Sequence, residues 1–387
     1  MSNLRIILHI GQSKTGTTAI QHFLSSNRKR LLNVGVLYPA VSINSIPINL
    51  INHNPVAGSL VKHIVFPRLS PDDYFKQIFS EVKNTGAKNI ILSAEDFWGG
   101  YPRAWDYPEE QDFYSEYRSK ITALSRYLRD CEITILVYLR PQIDWLSSSI
   151  GQTIKWERLF GEDKIYQNDQ QYFEAIKPTL LYSKLLDIWA EVLQPYKILA
   201  IPYERNLLYQ RDSVADFLKR VDLNSLQSFV ESKDIQSNLS LSYEFVEAKK
   251  IIIRKYRSKS DERVIAACLE KLTVREGKGI PYRLSNELIH EVKAFVEQDN
   301  NQLNEDYING DDKLDACSRN FKDTGVKPLT KEDIAIALAT FEKEYARPHY
   351  KIIWIYYEIK RFMRNHARSL HSLFRYLKSL FKLPLIR

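Results

Sequence analysis

The sequence predicts an α/β protein: a parallel central sheet flanked by helices, followed by a helical C-terminal part. Three observations carry that expectation. Short apolar runs recur at 4–10 (LRIILHI), 89–93 (NIILS), 132–139 (EITILVYL) and 197–202 (KILAIP); such runs, with little polar alternation, suit strands buried on both faces. The stretches between them are long and carry helical periodicity, which implies right-handed crossovers and parallel pairing. From about Tyr243 onward only helical patterns remain, over 243–256, 261–272 and 286–299.

The first run passes directly into Gly11-Gln12-Ser13-Lys14-Thr15-Gly16-Thr17-Thr18 and then into the helical pattern of Ile20, Phe23 and Leu24. A strand, a small-residue loop and a helix start make an anion-binding junction, because the first N–H groups of a helix lack intrahelical partners and the helix dipole adds positive charge there. Gly16 permits close backbone approach, Lys14 adds a full charge, and the hydroxyls of Thr17 and Thr18 can donate. Gly11 and Gly16 have the spacing of a Walker A loop, but Thr17 stands where that motif needs its lysine. An ordinary βα connection is the alternative.

Residues 35–39 (GVLYP) read as a short strand and 42–67 as a long irregular excursion. Helices are expected over 72–82, 109–130, 142–156, 180–192 and 212–221. The segment 306–331, with Gly310, Gly325 and Pro328, reads as a loose connection. The expected organisation is a main α/β domain over 1–305, a connection and helix over 306–345, and a basic tail over 346–387.

Ligands in parallel sheets collect at the carboxyl ends of the strands. That rule selects the ends after Ile10, Ser93 and Leu139. After Leu139 comes Arg140, with Ser148 eight residues on, about two turns into the next helix. A guanidinium can grip phosphate through two parallel hydrogen bonds and a serine can add a third. After Ser93 come Glu95 and Asp96, either a base near the same crevice or caps of the following helix. His53, in Asn52-His53-Asn54-Pro55, is the histidine best placed to meet a second substrate, whereas His9 reads as a satisfied core histidine.

The loop resembles the Lys-x-Gly-Thr-Thr 5′-phosphosulfate loop of sulfotransferases that use 3′-phosphoadenosine 5′-phosphosulfate (PAPS), and the Arg140/Ser148 spacing resembles their 3′-phosphate motif. Pro202-Tyr203-Glu204 and Asn238-Leu239-Ser240-Leu241-Ser242 resemble bacterial carbohydrate-type members, extending the likeness over about 4–305. The sequence departs from the family at Ala19, where Trp is common, at Pro141 directly after the Arg, and at Ile150, where Tyr is common.

The resemblance implies a P-loop-like sulfotransferase fold that moves a sulfuryl group from PAPS, as co-substrate, to a hydroxyl of a carbohydrate or glycolipid. It implies that Ser13, Lys14, Thr15, Gly16, Thr17 and Thr18 hold the 5′-phosphosulfate, Arg140 and Ser148 the 3′-phosphate, and that Lys14 and Glu95 are catalytic. His53 and Asp96 are expected on the acceptor side. No metal is needed on physical grounds, since the sulfuryl group is already strongly electrophilic. The rival readings are a nucleotide-dependent kinase with an altered loop and a non-catalytic nucleotide-binding or membrane-docked scaffold.

Apolar residues at 44% and charged residues at 26% are ordinary for a globular chain. Cys131, Cys268 and Cys317 are few, odd in number and far apart, which suggests a reduced compartment and no structural zinc. No secretory signal and no span of about 18 to 20 apolar residues is visible, so a cytoplasmic location is expected. The net charge of +8 is concentrated: residues 351–387 hold nine Lys or Arg and one acid, Glu358, leaving the rest neutral. That argues against nucleic acid as partner. Leu370, Leu373, Phe374, Leu377, Leu380 and Phe381 fall on one face of a helical pattern, and Arg368, Arg375, Lys378 and Lys382 on the other. Such a helix is expected either to lie on an anionic inner-membrane surface, as a peripheral contact, or to pack on protein.

Overall fold

The computed structural model describes residues 4–40, 42–43, 46–47, 51–61, 70–99, 103–107, 109–156, 168–230, 241–255, 259–275, 282–319 and 329–365. Its strands are β1 (Arg5–His9), β2 (Val36–Leu37), β3 (Ser42–Ile43), β4 (Ile46–Pro47), β5 (Asn89–Ser93), β6 (Glu132–Leu139) and β7 (Lys197–Pro202). Five of them form an all-parallel sheet in the order β2-β5-β1-β6-β7, and β3 and β4 pair separately in antiparallel fashion.

The register explains why the apolar runs show little alternation. Ile6 lies opposite Ile90 and Ile133, and Leu8 opposite Leu92 and Ile135. These residues join a core with Tyr117, Leu124, Leu186 and Trp189, from helices Glu110–Leu128 and Tyr182–Leu193. Residues of the opposite parity on the same strands, Ile7, Ile91, Leu136 and Tyr138, point the other way, into a core with Ile20, Leu24, Phe217 and Leu218 from helices Thr17–Ser26 and Ser213–Arg220. With both faces covered, either parity of side chain must be apolar.

Strand order also fixes where a crevice opens. From β1 the chain first fills the β5/β2 side of the sheet and only then crosses to β6 and β7, so the order reverses between β1 and β6. The carboxyl edge at that reversal is where open α/β sheets bind ligands.

The chain resolves into two compact units. The first takes residues 1–146, 173–235 and 285–321 and contains the five-stranded sheet; the second takes 147–172, 236–284 and 322–387. The expected domain over 1–305 is thus divided, because two of its segments cluster with the C-terminal helices. Within the second unit, helices Tyr243–Lys255, Lys259–Arg275, Lys331–Tyr345 and Pro348–Asn365 bury Val246, Ile265, Leu269 and Phe341. There the buried carboxylate of Glu344 is held by Lys271, Arg275 and Arg347 at 3.1, 2.8 and 3.2 Å.

Two other expectations are refined. The excursion over 42–67 contains the β3/β4 pair and the short helix Asn54–Ser59. The stretch expected to begin a loose connection is packed as far as Arg319. Ile308 and Leu314 are buried, and the Asn304 amide both donates to the Leu314 carbonyl and accepts its N–H. Residues 320–328 and the amphipathic tail over 366–387 lie outside the described residues.

Candidate active site

The loop after β1 is built around two residues with positive φ, Lys14 at 71° and Gly16 at 76°. For lysine that conformation is uncommon and points to a constrained loop. Thr15, buried between them, donates from Oγ1 to the Gln12 carbonyl at 2.6 Å and closes the turn. Gly16 is the N-cap of helix Thr17–Ser26, so no side chain caps that helix, and no acid stands in its first turn. The early N–H groups, those of Thr17 and Thr18 among them, therefore lack an intrahelical acceptor and face the loop. A Cβ at Gly16 would come within 2.6 Å of Ser213 Cβ and Oγ and 3.1 Å of Tyr203 Oη. Only glycine fits there, on conformational and steric grounds alike.

Gln12 ties this loop to the end of β6. Its side-chain oxygen accepts the Arg140 N–H at 2.8 Å, its amide donates to Tyr182 Oη at 2.7 Å, and the Tyr182 hydroxyl donates to the Arg140 carbonyl at 3.0 Å. Trp145 adds a longer contact, Nε1 to Ser13 Oγ at 3.4 Å. Backbone on both sides of the β1/β6 reversal is thus clamped by one buried amide and one buried phenol.

The result is a cleft of about 660 Å³ whose wall includes both Lys14 and Arg140. Arg205 and Arg211, from the segment after β7, add two more cations, and Tyr203 supplies an aromatic surface. The two acids of the wall are already engaged: Asp144 accepts from Ser318 N and Oγ at 2.9 and 3.1 Å, and Glu204 accepts from Arg319 N at 2.9 Å. The Arg140 guanidinium makes no hydrogen bond or ion pair with any described residue. A cleft with four cations and its acids occupied is suited to a polyanion.

Glu95 begins the short helix Glu95–Trp98 just past β5, and its carboxylate accepts the Thr17 hydroxyl. The loop after β1 and the carboxylate after β5 are therefore in direct contact. Asp96, beside it, is half-buried as Glu95 is. Burial pushes its carboxyl up to about 6, with Glu95 adding to the shift and Lys120 opposing it. Lys120 is itself fully buried under this corner, its amine donating to the Asp96 and Phe97 carbonyls at 3.1 and 2.8 Å and drawn down to about 7 by desolvation.

His53 is not available to a second substrate. It is wholly buried: ring Nδ1 accepts the Ser93 N–H at 3.0 Å, the His53 backbone N–H donates to the Ser93 carbonyl at 2.8 Å, and ring Nε2 faces the Pro39 carbonyl at 3.3 Å. Burial lowers its pKa to about 4, so the neutral ring pins the end of β5. His9 is a core histidine, but only half of it is satisfied as expected: Nδ1 meets Ser93 Oγ at 2.7 Å, Nε2 is buried with no hydrogen-bond partner among the described residues, and burial lowers its pKa to about 3. Ser148 lies on helix Gln142–Trp156 past Leu146 and so belongs to the second unit.

The sequence reading passed over Gln12, Tyr182, Arg205 and Arg211. For the two arginines a signal existed, since the rule that selected three strand ends applies equally to the end of β7. For Gln12 and Tyr182, 170 positions apart, no local pattern announces the pairing. No family model matches the chain, and no curated protein is significantly similar to it.

Proposed function

We propose that this protein transfers a sulfuryl group from PAPS to a hydroxyl of a carbohydrate or glycolipid, by in-line displacement on a P-loop-like sheet. One observation supports the reading above all others: Lys14 and Arg140, from the ends of adjacent strands β1 and β6, line one cleft. A nucleotide phosphorylated at both 3′ and 5′ positions offers one anionic group to each.

In this reading the uncapped start of helix Thr17–Ser26, with Gly16, Thr17 and Thr18, holds the 5′-phosphate, while Ser13 and Thr15 shape the loop. Lys14 neutralises the charge that develops on the bridging oxygen as the S–O bond breaks. Arg140 grips the 3′-phosphate. Tyr203, on the same wall as Arg140, offers a face for the adenine. Glu95 takes the proton of the attacking hydroxyl, so that one O–H bond is broken as the new O–S bond forms. Its hydrogen bond from Thr17 supports that role by tying it to the phosphate loop. Asp96 stays a candidate only for shaping the acceptor side.

A kinase using Mg²⁺-ATP would employ the same edge of the sheet. Against it, Thr17 occupies the position of the Walker A lysine, and its hydroxyl is engaged by Glu95. We place the protein in the cytoplasm; its three cysteines are unpaired, and no described helix is long and apolar enough to cross a membrane. Thermal-shift measurements with adenosine 3′,5′-bisphosphate and with ATP plus Mg²⁺ separate the enzyme readings, since the ligand held by the native state raises the midpoint. A larger rise with ATP plus Mg²⁺ overturns the proposal. Bisphosphate binding with no sulfate transfer across a glycan panel favours a non-catalytic binder.

A further inference from the structure

Helix Pro348–Asn365 of the second unit presents an apolar stripe to solvent. Ile352 is 67% and Tyr356 56% exposed, which is high for residues of this size. Ile355 and Ile359, three and seven positions after Ile352, are half-buried on the same face. The opposite side is the one that packs: Tyr350 and Glu358 are buried, and the Tyr357 ring meets the Arg263 guanidinium at 5.3 Å. At about 100° per residue, the backbone positions of Lys351 and Lys360 flank the stripe, one on either side.

The charge of this region is one-sided as well. From 351 to the last residue there are nine Lys or Arg against Glu358 alone, while the remainder of the chain is balanced. Glu358 is buried, whereas Lys351 is exposed beside the apolar face. No described helix is long and apolar enough to cross a membrane, so the pattern fits a helix that lies in the interface rather than one that spans it.

We infer that the Ile352–Ile355–Tyr356–Ile359 face is a docking surface for an anionic lipid membrane. The isoleucines and the tyrosine ring enter the boundary between headgroups and acyl chains, while Lys351 extends to the phosphates. A second copy of the chain is a poorer occupant, because pairing two such faces brings like charges together. Nucleic acid would satisfy the cations but leave Ile352 in water.

The test uses the full chain and vesicles of phosphatidylcholine alone or with phosphatidylserine, read by co-sedimentation. The expected result is binding to the anionic vesicles, weakened by added salt, with little binding to the neutral ones. The double variant Ile352→Asp/Tyr356→Asp should lower the partition coefficient about tenfold or more, because each change removes inserted apolar area and adds repulsion. Its thermal midpoint should stay close to wild type, since both side chains are exposed. Equal vesicle binding by variant and wild type overturns the inference and assigns lipid contact elsewhere in the chain. Absence of binding by the wild type also overturns it, as does a wild-type dimer in light scattering that the double variant converts to monomer.

Discussion

The side-chain oxygen of Gln12 accepts the backbone N–H of Arg140 at 2.8 Å, joining the loop that follows β1 to the end of β6. The two cations proposed to grip opposite ends of one nucleotide are thus held in register through a buried amide that touches neither phosphate in this account. Gln12→Leu leaves the Arg140 N–H without its acceptor, a loss of about 1–3 kcal/mol in stability. Affinity for adenosine 3′,5′-bisphosphate should fall about tenfold in calorimetric titration, because Lys14 and Arg140 no longer share a fixed spacing. Unchanged affinity would mean that the clamp serves folding alone.

Glu95 and Thr17 form the second such link. Glu95→Gln keeps a hydrogen-bonding group beside Thr17 but removes the basic oxygen, so nucleotide affinity should be preserved while turnover drops roughly 10²-fold or more. Near-normal turnover in Glu95→Gln removes it as base. Thr17→Val should likewise leave nucleotide affinity largely in place, since the Thr17 hydroxyl donates to Glu95 and only its backbone N–H faces the 5′-phosphate, while turnover falls as Glu95 loses its tie to the loop.

Gly16→Ala tests the construction of the loop. The residue sits at φ 76° with Ser213 2.6 Å from where a Cβ would lie. The variant should be destabilised by about 1–3 kcal/mol in urea melts and should lose nucleotide binding as the helix start moves away from Ser213. Wild-type stability would show that the loop and helix Ser213–Arg220 are less tightly seated than described.

Much of the sheet could be read from the chain because its strands are buried on both faces. NIILS, EITILVYL and KILAIP coincide with β5, β6 and β7, since a doubly covered strand has no polar parity to blur its limits. The cation pair could be anticipated because Arg140 directly follows one such run and Lys14 lies in the short loop after another. What could not be read depends on distant partners. His53 looked like a loop histidine, yet its two nitrogens are taken up by Ser93 and Pro39. Segment 306–319, rich in turn and charged residues, packs because Asn304, Asp144 and Glu204 receive its backbone N–H groups. The division into two units follows from which segments meet in space, and the chain visits each unit more than once.

The buried histidines give the protein an acid-sensitive corner. The folded-state pKa of His53, about 4, lies below its ordinary 6.5, so the unfolded chain takes up the proton first. Its contribution is complete above pH 6.5 and is lost as pH falls toward 4, at about 1.4 kcal/mol per pH unit. His9 acts in the same direction, and Asp96, raised from 3.8 to about 6, acts against it. In His53→Gln the decline of unfolding free energy with falling pH should be shallower by about 1.4 kcal/mol per unit across that window. Equal slopes in the two proteins would show that the ring protonates without unfolding.

The central claim is that Lys14 and Arg140 hold opposite ends of one doubly phosphorylated adenosine. Titration of adenosine 3′,5′-bisphosphate and adenosine 5′-monophosphate into wild type and Arg140→Ala tests it most directly, because the four affinities isolate the interaction between Arg140 and the 3′-phosphate. Wild type should prefer the bisphosphate by about 10²-fold, equivalent to about 3 kcal/mol for a charge-assisted pair, and Arg140→Ala should lose this preference while still binding the monophosphate. An Arg140→Ala protein that keeps the full preference, or a wild type that has none, would contradict it.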